Sequence, residues 1–264
     1  MTWRYEVEAY NTATASSNKI HDDAVARDYG FRGGLVPGVD VYAYMTHVPA
    51  SLWGLQWLAG GSMSARFVRP VYDGERVAIT GEQRGHELTL ELTGADGVVR
   101  AMGRAARGAP RAESDDVPPP APVREDRPPA SAESLSPGTV LGSLDAVFDA
   151  AKAADYLAAV RERLPLYTDA AVAHPGWLLR FANTVLATNV VLGPWIHVSS
   201  DVALLGTVGD GETLEVRGQV VAEYERSGHR FVELDVAVTA DDRVVQRVAH
   251  TAIHTPRRLT HSTE

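Results

Sequence analysis

The segment 18–38, NKIHDDAVARDYGFRGGLVPG, concentrates the residues able to do chemistry. His21 stands at the start of a short helical run, a Gly/Phe-rich loop follows, and Pro37-Gly38 open a second helix. Histidine exchanges a proton near neutral pH, and the first N–H groups of a helix have no partner inside it. Side by side, such groups polarise a carbonyl oxygen while moving a proton next to it. The neighbouring polar residues also have a purely local reading, with Asn18 as an N-cap and Asp23 as a first-turn charge.

Further candidates lie beyond this segment. Asp40, Tyr44 and His47 share helical spacing on the helix that Pro37-Gly38 open. Asp40 is a candidate carboxylate for His21. The structural alternative is a first-turn Asp, with Tyr44 and His47 packed against a sheet. In the second half of the chain, His174, Asn183 and His197 are further polar candidates, each with a structural alternative. Arg66 and Arg69 suit either the phosphates of a carrier or pairing with acids.

Several function classes are excluded or disfavoured. There is no cysteine, hence no disulfide, thiolate metal site or cysteine nucleophile. Lys19 and Lys152 are the only lysines, which leaves few candidates for a Schiff base. No HExxH, Asp-rich loop or GxGxxG occurs, so neither a metal nor an organic cofactor is expected. His250 and His254 alternate along a terminal strand without a third ligand. The net charge of −9 argues against broad nucleic-acid binding. The N-terminus lacks the features of a signal peptide, and no apolar run is long enough to span a bilayer. A cytoplasmic location is the expectation.

Two similar halves must position these groups. Residues 64–106 read as a strand meander, with Val77 and Ile79, then Leu88, Leu90 and Leu92, alternating with polar neighbours. Residues 202–254 repeat the plan. Asp73-Gly74-Glu75 matches Asp210-Gly211-Glu212, Gly85-His86 matches Gly228-His229, and Asp96-Gly97-Val98-Val99 matches Asp242-Arg243-Val244-Val245. Three ordered matches point to duplication. Each meander follows a helix opened by Pro-Gly, the first ended or kinked by Pro49. The pattern predicts an α+β fold in which each half wraps an antiparallel sheet round one apolar helix. The expected division is 1–108, a Pro-rich, extended and mobile linker 109–137, a second unit 138–257 and a tail 258–264.

These residues resemble the MaoC-like family of (R)-specific enoyl-CoA hydratases and acyl dehydratases, which have the hotdog fold. Asn18, His21 and Asp23 fall on the Asn, His and second Asp of that family's Asp-x-Asn-Pro-x-His-x-Asp segment. Gly30-Phe31, Pro37-Gly38 and Arg66-Phe67-Val68-Arg69-Pro70 are also similar. The resemblance implies a tandem, double hotdog whose first half carries the site. It implies His21 as acid/base, Gly38 N–H as oxyanion donor and an acyl-CoA or acyl-carrier-protein thioester as partner. Asn18, Tyr44, Asn183 and His174 are the candidate substrate-binding residues. Ser16 stands where the family has its catalytic Asp and is a candidate for holding water. Three functions follow as alternatives: reversible hydration of an α,β-unsaturated thioester; isomerisation, cyclisation or thioester hydrolysis; or non-catalytic acyl binding. A homodimer of the double unit is compatible with the sequence, and no motif specifies it.

Overall fold

The same order of elements occurs twice. The computed structural model describes residues 1–108 and 117–258. The first run is β1 (Thr2–Glu8), α1 (Asp23–Asp28), α2 (Gly38–Gly60), β2 (Ser62–Phe67), β3 (Arg76–Arg84), β4 (Glu87–Gly94) and β5 (Val99–Ala106). The second is β6 (Val140–Val147), α3 (Ala150–Ala159), α4 (Leu166–Asp169), α5 (Pro175–Asn189), β7 (Ile196–Leu204), β8 (Thr213–Arg226), β9 (His229–Ala240) and β10 (Arg243–Thr255). Alternation fixes which face of each strand is buried. On β4, Leu88, Leu90 and Leu92 are fully buried while Thr89 and Glu91 between them are exposed. Gly85 and Gly97 turn the chain between these strands at φ 64° and 73°, where a side chain would be strained.

All strands join one ten-stranded sheet of order β1-β3-β4-β5-β2-β7-β10-β9-β8-β6. Each half has the same internal order when read outward from the centre. The halves meet where β2 pairs antiparallel with β7, from Ser62 opposite Ala203 to Arg66 opposite Ser199. The helices α2 and α5 pack against the sheet and against each other. Every residue of α2 from Val39 to Thr46 is buried, as a helix enclosed on most sides must be.

Duplication extends to hydrogen bonds. Gly74 N donates to Ala9 O and Gly211 N to Phe148 O, at 2.8 and 2.9 Å. Asp73 Oδ1 accepts from Asn11 N, and Asp210 Oδ1 accepts from Ala150 N, both at 2.8 Å. Glu75 pairs with Arg100, and Glu212 pairs with Arg243. Each Asp-Gly-Glu turn therefore ties the end of the first strand of its half to the start of the third.

Two expectations need correction. Pro49 does not end the first long helix, which runs on to Gly60 and breaks at Gly54 (φ 60°, ψ −148°). Burial of Val48, Pro49 and Ala50, then of Trp57 and Leu58, offsets the backbone hydrogen bond that proline cannot make. The second correction concerns the linker. Residues 109–116 lie outside the described residues, but 117–137 are packed rather than loose. Arg127 donates to the carbonyls of Ala187 and Val190, Val191 N to Pro128 O and Ala130 N to Val191 O. The linker thus cradles the end of α5, and Leu135 is fully buried in the main core. Leu135→Ala should cost about 2–5 kcal/mol in urea unfolding; a loss below about 0.5 kcal/mol would mean that the segment is loose.

Among the described residues, no helix is long and apolar enough to cross a membrane.

Candidate active site

A cavity of about 560 Å³ opens where the two halves meet. His21 and Gly38 of the first half line it together with Asn183 of α5 and His197 of β7. Its walls are largely apolar, formed by Phe31, Val41, Trp195 and Phe231 among others.

His21 is held at three points. It closes a short 3-10 turn, Lys19–His21, whose N-cap is Asn18. The Leu35 carbonyl lies 2.6 Å from His21 Nδ1. A carbonyl only accepts, so Nδ1 carries the proton and Nε2 presents a lone pair. Asn18 Nδ2 approaches that lone pair at 3.4 Å. The Asn18 amide is oriented by the opposite half, since Oδ1 accepts from Trp195 N (3.1 Å) and Nδ2 donates to Trp195 O (3.0 Å). Burial lowers the His21 pKa below the ordinary histidine value, opposed by the Leu35 carbonyl and by the charge of Asp40. The ring is therefore neutral near pH 7, with a basic nitrogen on a rigid mount.

Gly38 opens α2 behind Pro37, whose side chain makes no capping hydrogen bond. Its N–H is one of the helix's first, which have no intrahelical acceptor. Glycine is required there because a Cβ would stand 2.8 Å from His197 Nδ1 and 3.1 Å from His197 Cβ. Asn183 lines the same cavity, and its Oδ1 is buried without a protein partner among the described residues.

Six sequence candidates are absent from the lining. Ser16 Oγ accepts from Asn18 N at 3.1 Å and so stabilises the turn before His21. Asp40 is wholly buried, with Oδ1 on Arg180 (2.7 Å) and Oδ2 on Thr12 Oγ1 (2.5 Å). It acts on His21 only through its field. Tyr44 Oη accepts from Tyr10 N at 3.1 Å. His174 caps α5, its Nδ1 accepting from Gly176 N at 3.0 Å. Burial pushes the His174 pKa down to about 4. Asp23 accepts from Gly34 N at 2.7 Å and so braces the loop before Gly38. His47 donates to the Glu162 carboxylate at 2.9 Å.

The rim is cationic. Arg66, Arg69 and Arg226 line it with His229. Among the described residues, none of the three arginines makes an ion pair with a carboxylate. Glu233, the one acid in the lining, accepts from Tyr224 Oη at 3.0 Å. Arg226 and His229 escaped the sequence reading because a hairpin tip carries no sign of the half it will face. Among the described residues, no three metal-ligating side chains cluster.

The arrangement of two five-stranded halves round two central helices decides the fold. The fold is the double hotdog. It is similar to a Mycobacterium tuberculosis protein described as having a double hotdog fold (TM-score 0.64, 15% identity, 96% of this chain and 95% of that one). A MaoC-like dehydratase superposes with a TM-score of 0.62 at 13% identity, over 96% of this chain and 97% of the other. The dehydratase domain of PpsC from Mycobacterium tuberculosis, solved with C12:1-CoA, gives 0.52 at 13% identity, over 96% and 94%. No model of a known protein family and no curated protein matches the chain.

Proposed function

We propose that this double hotdog hydrates or dehydrates an acyl thioester at the cavity between its halves. The observation that carries the reading is His21 Nε2, a neutral and oriented base, sharing an apolar cavity with the open N-terminus of α2. In the dehydration direction, Nε2 takes a proton from the carbon next to the thioester carbonyl. Negative charge moves to the carbonyl oxygen, where the Gly38 N–H and the helix dipole favour it. The imidazolium so formed returns the proton to the β-hydroxyl, the C–O bond breaks and water leaves. Hydration reverses these steps. Asn183 shares the lining and in this reading supplies its amide to the hydroxyl or the water. One histidine thus serves as base and then acid, without a carboxylate beside it.

The unpaired arginines at the rim favour a carrier bearing phosphate, acyl-CoA or a phosphopantetheinyl protein, with the acyl chain directed into the apolar interior. A panel of crotonyl and longer enoyl-CoA thioesters tests the function. Loss of the conjugated double bond without release of thiol is the expected result. Thiol release alone would replace this reading with thioester hydrolysis, and inertness with binding throughout the panel would leave a non-catalytic acyl-binding protein.

A further inference from the structure

The second half carries a longer hairpin than the first. β8 and β9 have 14 and 12 residues, where β3 and β4 have 9 and 8. The end of the longer hairpin forms part of the cavity wall, through Tyr224, Arg226, His229 and Phe231.

The strand register puts these four side chains on one face. Tyr224 lies opposite Phe231 and Arg226 opposite His229, and residues two apart along a strand share a face. The Tyr224 and Phe231 rings stack with centroids 5.1 Å apart and planes 5° from parallel. Both are half-buried, and Ile253 and Ile196 continue their row across β10 and β7. Tyr224 is fixed at its far end, where Oη donates to Glu233 at 3.0 Å. Arg226 stands about 7 Å along the strand from this row. It is exposed. On the opposite face of the hairpin, Arg230 is taken up by Glu223 and Glu225, whereas Arg226 meets no carboxylate among the described residues. His229 accepts at Nδ1 from Arg257 N (3.1 Å), so its neutral ring keeps a proton on Nε2 to donate.

A half-exposed aromatic row with an unpaired guanidinium one step beyond it suits a ligand made of a flat ring joined to a phosphate. An acyl chain has no use for the cation. The phosphopantetheine arm of a carrier protein has a phosphate but no ring. We propose that the end of the β8–β9 hairpin is the subsite for the nucleotide end of coenzyme A, with adenine packed against the Tyr224–Phe231 row and a phosphate on Arg226. Arg66 and Arg69 line the same cavity from the first half and offer cations for the remaining phosphates. The inference rests on the thioester reading of the cavity and narrows its carrier to free acyl-CoA.

Titration calorimetry with ligands that hydration cannot consume tests it. Butyryl-CoA should bind at least about 10-fold tighter than butyryl-4′-phosphopantetheine, and adenosine 3′,5′-bisphosphate alone should bind and compete with butyryl-CoA. Arg226→Gln and Tyr224→Leu should each weaken both nucleotide ligands about 10-fold. Tyr224→Leu should leave butyryl-4′-phosphopantetheine unaffected, because that ligand lacks the ring. Equal affinity for the two thioesters would overturn the subsite and leave the thioester reading standing, with a carrier-protein arm in place of CoA. Nucleotide binding indifferent to both variants, in proteins with unchanged melting temperature, would also overturn it. Binding of neither butyryl-CoA nor the bisphosphate would sink the subsite and the thioester reading together. A bisphosphate held through Tyr224 and Arg226 by a protein that turns over no thioester would support the subsite and sink the reaction.

Discussion

His21→Ala should lower kcat for hydration of an enoyl thioester by about 10²–10⁴-fold, the usual contribution of a positioned acid/base. The upper part of that range is the expectation, because among the described residues the candidate replacements for the base are already engaged. Asp40 is occupied by Arg180 and Thr12, Ser16 by a backbone N–H, and Glu233 by Tyr224. The melting temperature should change little. The main protein contacts of the ring are the Leu35 carbonyl and Asn18, and Asn18 keeps its two hydrogen bonds to Trp195 without it. The pH profile offers a check that needs no variant. Proton abstraction requires neutral His21, and burial places its pKa below the ordinary 6.5. The rate of dehydration should therefore hold through neutral pH and fall only as pH drops through that lowered value. A fall already beginning well above pH 6.5 would assign the limiting group elsewhere. So would an Ala variant with activity within a few-fold of the wild type.

The fold was readable because its signals are local and repeated. Leu88, Leu90 and Leu92 specify a face by alternation, and the two Asp-Gly-Glu turns mark the same corner twice. The position of His21 was readable for the same reason, since its neighbours within twenty residues set its backbone and its acceptor, Leu35. What escaped depends on distant partners. Asp40 looked free to serve His21 because Arg180, which neutralises it, lies on the helix of the other half. His197 was one of three equivalent candidates until the pairing of β2 with β7 brought it against Gly38. The linker misled in the other direction. Its Pro and Ser content describes a chain unable to form a core of its own, and says nothing of whether the C-terminal end of α5 offers carbonyls for it to hold.

Asp40→Ala should be strongly destabilising, at about 3 kcal/mol. Breaking a buried pair by removing one partner costs about 3–5 kcal/mol, because the remaining charge is left without compensation. The lower end applies here. Asp40 is fully buried, but the Arg180 side chain keeps about 32% of its exposure and water reaches the guanidinium. Arg180→Ala should cost at least as much, for three reasons. It leaves the wholly buried carboxylate with Thr12 alone, it removes the stacking of the guanidinium 4.5 Å from the Tyr156 ring, and it uncouples α5 from α2. Apolar replacement of both residues, Asp40→Leu with Arg180→Met, should recover much of the loss, since no charge then remains in the interface. Activity should not return in step. The pair joins the helix that begins at Gly38 to the helix that carries Asn183, and a well-packed apolar pair restores burial without restoring the direction of that bond. Urea unfolding of the four proteins gives the test. A loss below about 1 kcal/mol in both single variants would mean that the pair behaves as a surface ion pair and does not fix one half against the other.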